Sequence, residues 1–311
     1  VSKIAIIFPG QGAQYPGMGK DLAENFPEAM EVFDIANEAL GYDIKKLCFE
    51  GPEDELVKTE ITQPAILTMS IAAYRILESR GVIPSVTAGL SLGEYCSLVI
   101  AGALDFKDAV KLVSKRGKYM QEAVPQGQGG MAAVMGLDRS VVEEICIEAS
   151  SVGVVEPANI NCPGQIVISG ELKAIEKAAE IAKEKGAKRV ISLAVSAPFH
   201  CSLLRPAGEK LSADLRQTEF KKLNIPVISN VTAEYIRDEF EIVDLLIRQV
   251  SNPVLWEDSV RLMIKDGVDI FIEVGPGKSL SGFVKKIDKS VSAFNVDNLD
   301  SLNNTLSELN L

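Results

Sequence analysis

A chain of 311 residues, 47% hydrophobic and 24% charged, can bury a substantial core, which excludes disorder as its main state. A net charge of −11 leaves no basic face to dominate the field, which argues against a nucleic-acid partner. Its five cysteines (Cys48, Cys96, Cys146, Cys162, Cys201) are scattered and never form a C-x-x-C pair, so neither a disulfide framework nor a metal site is expected, and the setting reads as a reducing cytoplasm.

Strand-like and helical patterns alternate along almost the whole length, which predicts an α/β protein with a mostly parallel sheet. The N-terminal segment through Phe8 is short for a signal sequence and reads as a buried first strand, Lys3–Phe8. A glycine-rich loop from Gly10 to Gly19 follows, then an amphipathic helical stretch over Leu22–Leu40. A second helix fits Pro64–Ser79, with Gly81 just past its end. The apolar stretch Ala65–Leu77 is interrupted by Thr68, Ser70 and Arg75, and no uncharged run reaches the roughly 18 residues of a membrane span, so no membrane association is expected. A strand at Ser85–Leu90 runs into a helix from Leu92 to Ala101, and another helix covers Lys107–Ala123.

Val124-Pro125-Gln126-Gly127-Gln128-Gly129-Gly130 is a cluster of helix and strand breakers. After it the order is strand Met131–Met135, helix Ser140–Ala149, strand Val154–Ile160, strand Gln165–Ser169, helix Glu171–Lys185 and strand Arg189–Val195. This βαββαβ order predicts a small ferredoxin-like domain, 127–196, inserted into a discontinuous large domain, 1–126 and 197–311. Helix and strand alternation then resumes: helix Leu203–Leu215, strand Pro226–Ser229, helices Ile242–Val250 and Val254–Lys265, and strand Asp269–Val274. Both chain crossings fall on one seam, where a ligand cleft is expected.

Gly89-Leu90-Ser91-Leu92-Gly93 matches G-x-S-x-G, and the strand before it and helix after it are the context of a nucleophile elbow. A tight strand-to-helix turn lifts the Ser91 hydroxyl clear of the backbone, and the helix N-terminus offers N–H groups to a developing oxyanion. A serine needs a base, and the chain has one histidine, His200, on the proposed seam. Cys201 beside it is a rival nucleophile, although neighbours in sequence rarely converge on one atom. Gly10-Gln11-Gly12 fails the dinucleotide fingerprint because Tyr15 stands where the third glycine belongs. Gly277-Lys278-Ser279 fails the phosphate-loop pattern at Ile272. Gln11 remains a candidate backbone donor. In Lys115-Arg116-Gly117-Lys118, Arg116 reads either as part of a solvated basic face or as a fork for a substrate carboxylate.

Together these segments resemble the malonyl-CoA:acyl carrier protein transacylase family over nearly the whole chain. The residues that carry the resemblance are Phe8-Pro9-Gly10-Gln11-Gly12-Ala13-Gln14-Tyr15-Pro16-Gly17-Met18-Gly19, Gly89-Leu90-Ser91-Leu92-Gly93-Glu94-Tyr95, Arg116-Gly117, Ala197-Pro198-Phe199-His200, Gln249-Val250-Ser251-Asn252-Pro253-Val254 and Glu273-Val274-Gly275-Pro276-Gly277. The resemblance implies that Ser91 is the acylated nucleophile, His200 its base, and Gln249 the residue that orients the histidine. It implies an oxyanion hole from the N–H groups of Gln11 and Leu92. Arg116 is then the partner of the malonyl carboxylate, and Phe199 the residue that crowds a methyl branch. It also implies malonyl-CoA and an acyl carrier protein as partners, no metal or redox cofactor, and a role in fatty acid biosynthesis. A stand-alone acyltransferase of a polyketide synthase and a serine hydrolase on the same scaffold are the alternative readings. Acyl carrier proteins are acidic, as this chain is, so docking needs a local basic patch. Lys183, Lys185, Lys188 and Arg189 form one candidate, and Lys285, Lys286 and Lys289 another.

Overall fold

The computed structural model describes residues 2–311. Two four-stranded sheets organise it. In chain order the strands are β1 (Ile4–Phe8), β2 (Val86–Gly89), β3 (Gly129–Met135), β4 (Val155–Cys162), β5 (Gln165–Glu171), β6 (Arg189–Ser192), β7 (Ile270–Val274) and β8 (Ser292–Val296). The first sheet has the order β2-β1-β7-β8, and all its pairings are parallel. Helices cover both its faces, so its strands are near-continuous apolar runs: Ala5, Ile6, Ile7 and Phe8 are all fully buried. The second sheet has the order β4-β5-β3-β6 and is antiparallel throughout, the ferredoxin-like arrangement expected from the element order.

Away from its exposed edge strand β6, the small sheet is buried on both faces, and its side-chain alternation shows why. Ala132, Val134, Ile166 and Ile168 face the helices Arg139–Ala149 and Leu172–Glu184 in a core of their own. Met131, Ala133, Val167 and Ala158 point the other way and join the main core. The small unit is therefore seated on the large one. A parallel bridge between Asn159 and Val254, with Ile160 N–H donating to Val254 O at 3.0 Å, stitches the seam.

Several predicted elements change in detail. The stretch Leu22–Leu40 is two helices, Lys20–Asn25 and Pro27–Leu40, because Pro27 opens a new helix with Phe26 extended before it. The helix expected from Pro64 begins at Thr59 and carries the proline inside it. The carbonyl of Glu60, which the missing proline N–H would have met, accepts from Ser114 Oγ at 3.2 Å. Pro226–Ser229 is no strand but a pair of isolated bridges, Thr87 to Val227 and Ile228 to Tyr235. β6 stops at Ser192, where the chain turns back toward the large unit.

The topology fixes where chemistry can occur. β1 and β2 are adjacent and in register, with Phe8 opposite Gly89. Gln11 and Ser91, a few residues past those positions, therefore leave the sheet at the same carboxyl edge, where open α/β sheets hold their ligands.

Candidate active site

The elbow is a close-packed turn. Leu90 N–H still bonds Phe8 O at 3.0 Å, and by Gly93 the chain is helical. A Cβ on Gly89 would lie 1.9 Å from the Gly93 backbone, and one on Gly93 would lie 2.3 Å from Phe8 O, so both flanking glycines are required by space. Between them Ser91 has φ +55°, the left-handed region that a serine rarely adopts. His200 is likewise left-handed, at φ +60°. Two strained non-glycine residues thus face each other: Ser91 Oγ is 2.6 Å from His200 Nε2. The turn after the histidine is tied to the small sheet, because the Glu156 carboxylate accepts from Ser202 N–H at 2.8 Å and Ser202 Oγ at 2.6 Å.

His200 Nδ1 lies 2.8 Å from the backbone carbonyl of Gln249. A carbonyl only accepts, so Nδ1 carries the proton and Nε2 is left to accept from the serine. Gln249, expected to orient the histidine, meets it through its carbonyl oxygen rather than its side chain. The amide is used elsewhere: Oε1 accepts from Arg116 at 3.0 Å, and Nε2 donates to Glu94 Oε2 at 2.7 Å and Ser91 O at 2.9 Å. Burial and the nearby Arg116 charge pull the His200 pKa down to about 4, opposed by its backbone hydrogen bonds, so the imidazole is neutral at pH 7.

Arg116 resolves the two readings of its basic run. Lys115 pairs on the surface with Asp214, whereas Arg116 is 1% exposed and turned inward. Gly117 permits this, since a Cβ there would lie 2.4 Å from Thr59 O on the crossing helix. The guanidinium bonds Gln63 Oε1 at 2.8 Å, Gln249 Oε1 and, at 3.2 Å, Ser91 Oγ, and it lies over the Tyr95 ring, 5.5 Å from its centroid. All three hydrogen-bond partners are neutral. Its charge also acts on the buried Glu94 carboxyl, but no carboxylate bonds the guanidinium directly, which leaves it poised for an anionic ligand.

Gln11 is half-buried on the loop after β1, and its side chain reaches Thr59 Oγ1 at 3.4 Å. Thr59 bonds Gln121 in turn, which also takes a hydrogen bond from Ser196, so the Gln11 loop is tied to the segment that leads into His200. Neither the Gln11 nor the Leu92 N–H donates to a backbone carbonyl among the described residues. Both are free to serve an oxyanion. Gln11, Gly12 and Gln14 line a groove of about 470 Å³ with Gln126, Gly127 and the 194–196 segment. Phe199 is buried immediately before the histidine. Cys201 is no competitor: its Sγ lies 3.3 Å from Pro198 O, and burial pushes its pKa up to about 11.

Gln63, Glu94 and Glu156 also shape this site and escaped the sequence reading. Gln63 and Glu156 lie in no motif, and Glu94 sits in the quoted elbow segment without a sign of its role. Glu94 is fully buried, and burial pushes its pKa up to about 7 against hydrogen bonds from Asn230 and Gln249 and the Arg116 charge.

The chain is similar to known proteins along almost its whole length. The acyl transferase domain family model matches residues 5–299. A malonyl CoA-acyl carrier protein transacylase from Bacillus subtilis (strain 168) is 48% identical, over 97% of this chain and 96% of its own. The crystal structure of a malonyl CoA-acyl carrier protein transacylase from Clostridium perfringens superposes with a TM-score of 0.97 at 54% identity, covering 99% of this chain and 98% of that one. A malonyl-transacylase solved in complex with a type II PKS acyl-carrier protein superposes with a TM-score of 0.96 at 44% identity, covering 99% of this chain and 100% of that one.

Proposed function

The chain belongs to the acyl transferase domain family, and from that premise we propose that it moves a malonyl group from coenzyme A to the phosphopantetheine thiol of an acyl carrier protein through an ester on Ser91, in the cytoplasm, for fatty acid biosynthesis. The observation that carries the malonyl assignment is Arg116: a buried guanidinium with neutral partners, 3.2 Å from the Ser91 hydroxyl. Malonyl has its free carboxylate two carbons beyond the reacting carbonyl, within reach of such a fork.

His200 Nε2 takes the Ser91 proton as Oγ attacks the thioester carbonyl. The oxyanion is held by the N–H groups of Gln11 and Leu92, and the imidazolium by the Gln249 carbonyl at Nδ1. When the tetrahedral species collapses, the C–S bond breaks and His200 returns the proton to the departing coenzyme A thiolate. The carrier's thiol then gives a proton to His200 and attacks the malonyl ester, and collapse breaks the ester bond and restores Ser91. Docking of the malonyl carboxylate offsets the Arg116 charge that depresses His200, so the substrate itself raises the basicity of its catalyst. Side chains and backbone handle every proton and charge in this scheme, so it calls for no metal or redox cofactor. With the units divided near 126/127 and 196/197, nucleophile, arginine, oxyanion donors and histidine all come from the large unit, the histidine just past the second crossing.

The test mixes the protein with malonyl-CoA and either the phosphopantetheine form of a carrier or the carrier without that arm. Malonyl-carrier is expected only with the arm present, and release of free malonate is expected to be much slower than transfer. Malonate release at one rate with or without the carrier makes the protein a hydrolase and ends the proposal.

A further inference from the structure

Asn230 lies 139 positions from Ser91 along the chain, is 1% exposed, and hydrogen-bonds to both sides of the elbow. Its Oδ1 accepts the Ser91 N–H at 2.7 Å, and its Nδ2 donates to the Gly89 carbonyl at 2.6 Å. The turn at Ser91, with φ +55°, takes these two backbone groups out of the regular ladders of β2 and the following helix. A carboxamide offers one acceptor and one donor side by side, the pair this turn requires.

Asn230 is itself held. Its N–H donates to Glu94 Oε2 at 3.1 Å, and its own carbonyl accepts from Leu255 N–H at 2.9 Å. The same Glu94 oxygen takes Gln249 Nε2, which also bonds Ser91 O. The nucleophile's peptide groups are thus gripped by two amides, Asn230 on the N–H and Gln249 on the carbonyl, with one buried carboxylate behind both. Glu94 Oε1 has no partner among the described residues, so a proton there leaves both Oε2 bonds in place.

We propose that Asn230 is a positioning residue that pins the strained elbow, with Glu94 as its anchor, and so sets the reach of Ser91 Oγ to His200 Nε2. Because Gln249 grips Ser91 through its side chain and His200 through its carbonyl, the network ties nucleophile and base to one frame. Without the pin, the turn relaxes toward ordinary backbone angles and the hydroxyl leaves the histidine. Misplacement of this kind slows chemistry on the order of 10²-fold with little effect on how substrate is held.

The inference rests on Ser91 being the acylated residue. The experiment follows malonylation of Asn230→Ala by intact mass in single turnover, measuring the rate constant and the final amplitude separately. A rate constant lower on the order of 10²-fold is expected, with KM for malonyl-CoA unchanged and full amplitude. A merely structural role instead lowers the amplitude, through misfolded sites, and leaves the rate of the remaining sites as in the unaltered protein; that result overturns the inference, as does an unchanged rate. Asn230→Asp keeps the volume and the acceptor but turns a second acceptor on the Gly89 carbonyl, so the same rate loss is expected there, and this variant carries the test if the alanine protein is insoluble. Absence of malonyl on Ser91 in the unaltered protein defeats the functional reading itself, so the two failures are distinct.

Discussion

Replacing Arg116 by alanine removes the buried cation that lies 3.2 Å from the nucleophile. A hydrogen bond to a charged group contributes about 1.5–3 kcal/mol, which at about 1.4 kcal/mol per decade corresponds to roughly 10–150-fold in rate. On the proposed reading malonyl-CoA makes that contact and acetyl-CoA, with no free carboxylate, does not. The truncation also strips donors from Gln63 Oε1 and Gln249 Oε1, both buried, at about 1–3 kcal/mol each in stability. That loss is common to both substrates and cancels in their ratio. Self-acylation rates followed by mass should therefore show the malonyl-to-acetyl ratio of kcat/KM collapsing roughly 10–150-fold. A parallel fall of both rates, with the ratio intact, refutes the carboxylate role.

The other perturbations are simpler. Gly93→Ala places a methyl 2.3 Å from Phe8 O, so the melting temperature should drop by the several degrees that about 1–3 kcal/mol of overpacking implies; an unchanged melt means the elbow is looser than described. With His200 of the free protein held near 4, kcat/KM for self-malonylation should stay level from pH 8 to about 5 and fall through about 4, whereas a midpoint at the ordinary histidine value would contradict its burial beside Arg116. The sign for stability follows: between about 6.5 and 4 the unfolded chain binds more protons at this residue, so His200 makes the fold less stable as pH falls through that window. The two candidate basic patches meet: Met135 pairs with both Gln165 and Arg189, and Lys286 reaches Gln165 at 3.5 Å. Charge reversal at Arg189 and Lys286 should slow transfer to an acidic carrier and flatten its salt dependence while self-malonylation holds; no change removes this face from docking.

The site was legible where chemistry has a local signature. The elbow announces itself because its turn admits only small residues at Gly89 and Gly93, and its partner His200 because the chain holds a single histidine. The alternating pattern of β3 to β6 disclosed the inserted sheet because strand period and turn spacing are local. What stayed hidden depends on distance or on backbone. The Gln249 carbonyl that orients His200 leaves no trace in residue type, and the bonds of Asn230 and Glu94 join segments far apart in the chain. β8 is absent from the sequence pattern because the short strand Ser292–Val296 has no strong alternation and gains its place from pairing with β7.

The central claim is that a hydroxyl and an imidazole 109 positions apart act as one acyl-accepting pair. Incubation with malonyl-CoA alone, followed by intact mass and peptide mapping, addresses it most directly. One malonyl group per chain on the peptide containing Ser91, absent from Ser91→Ala, is the result this account predicts. A malonyl adduct that survives in Ser91→Ala, or none in the unaltered protein, contradicts it.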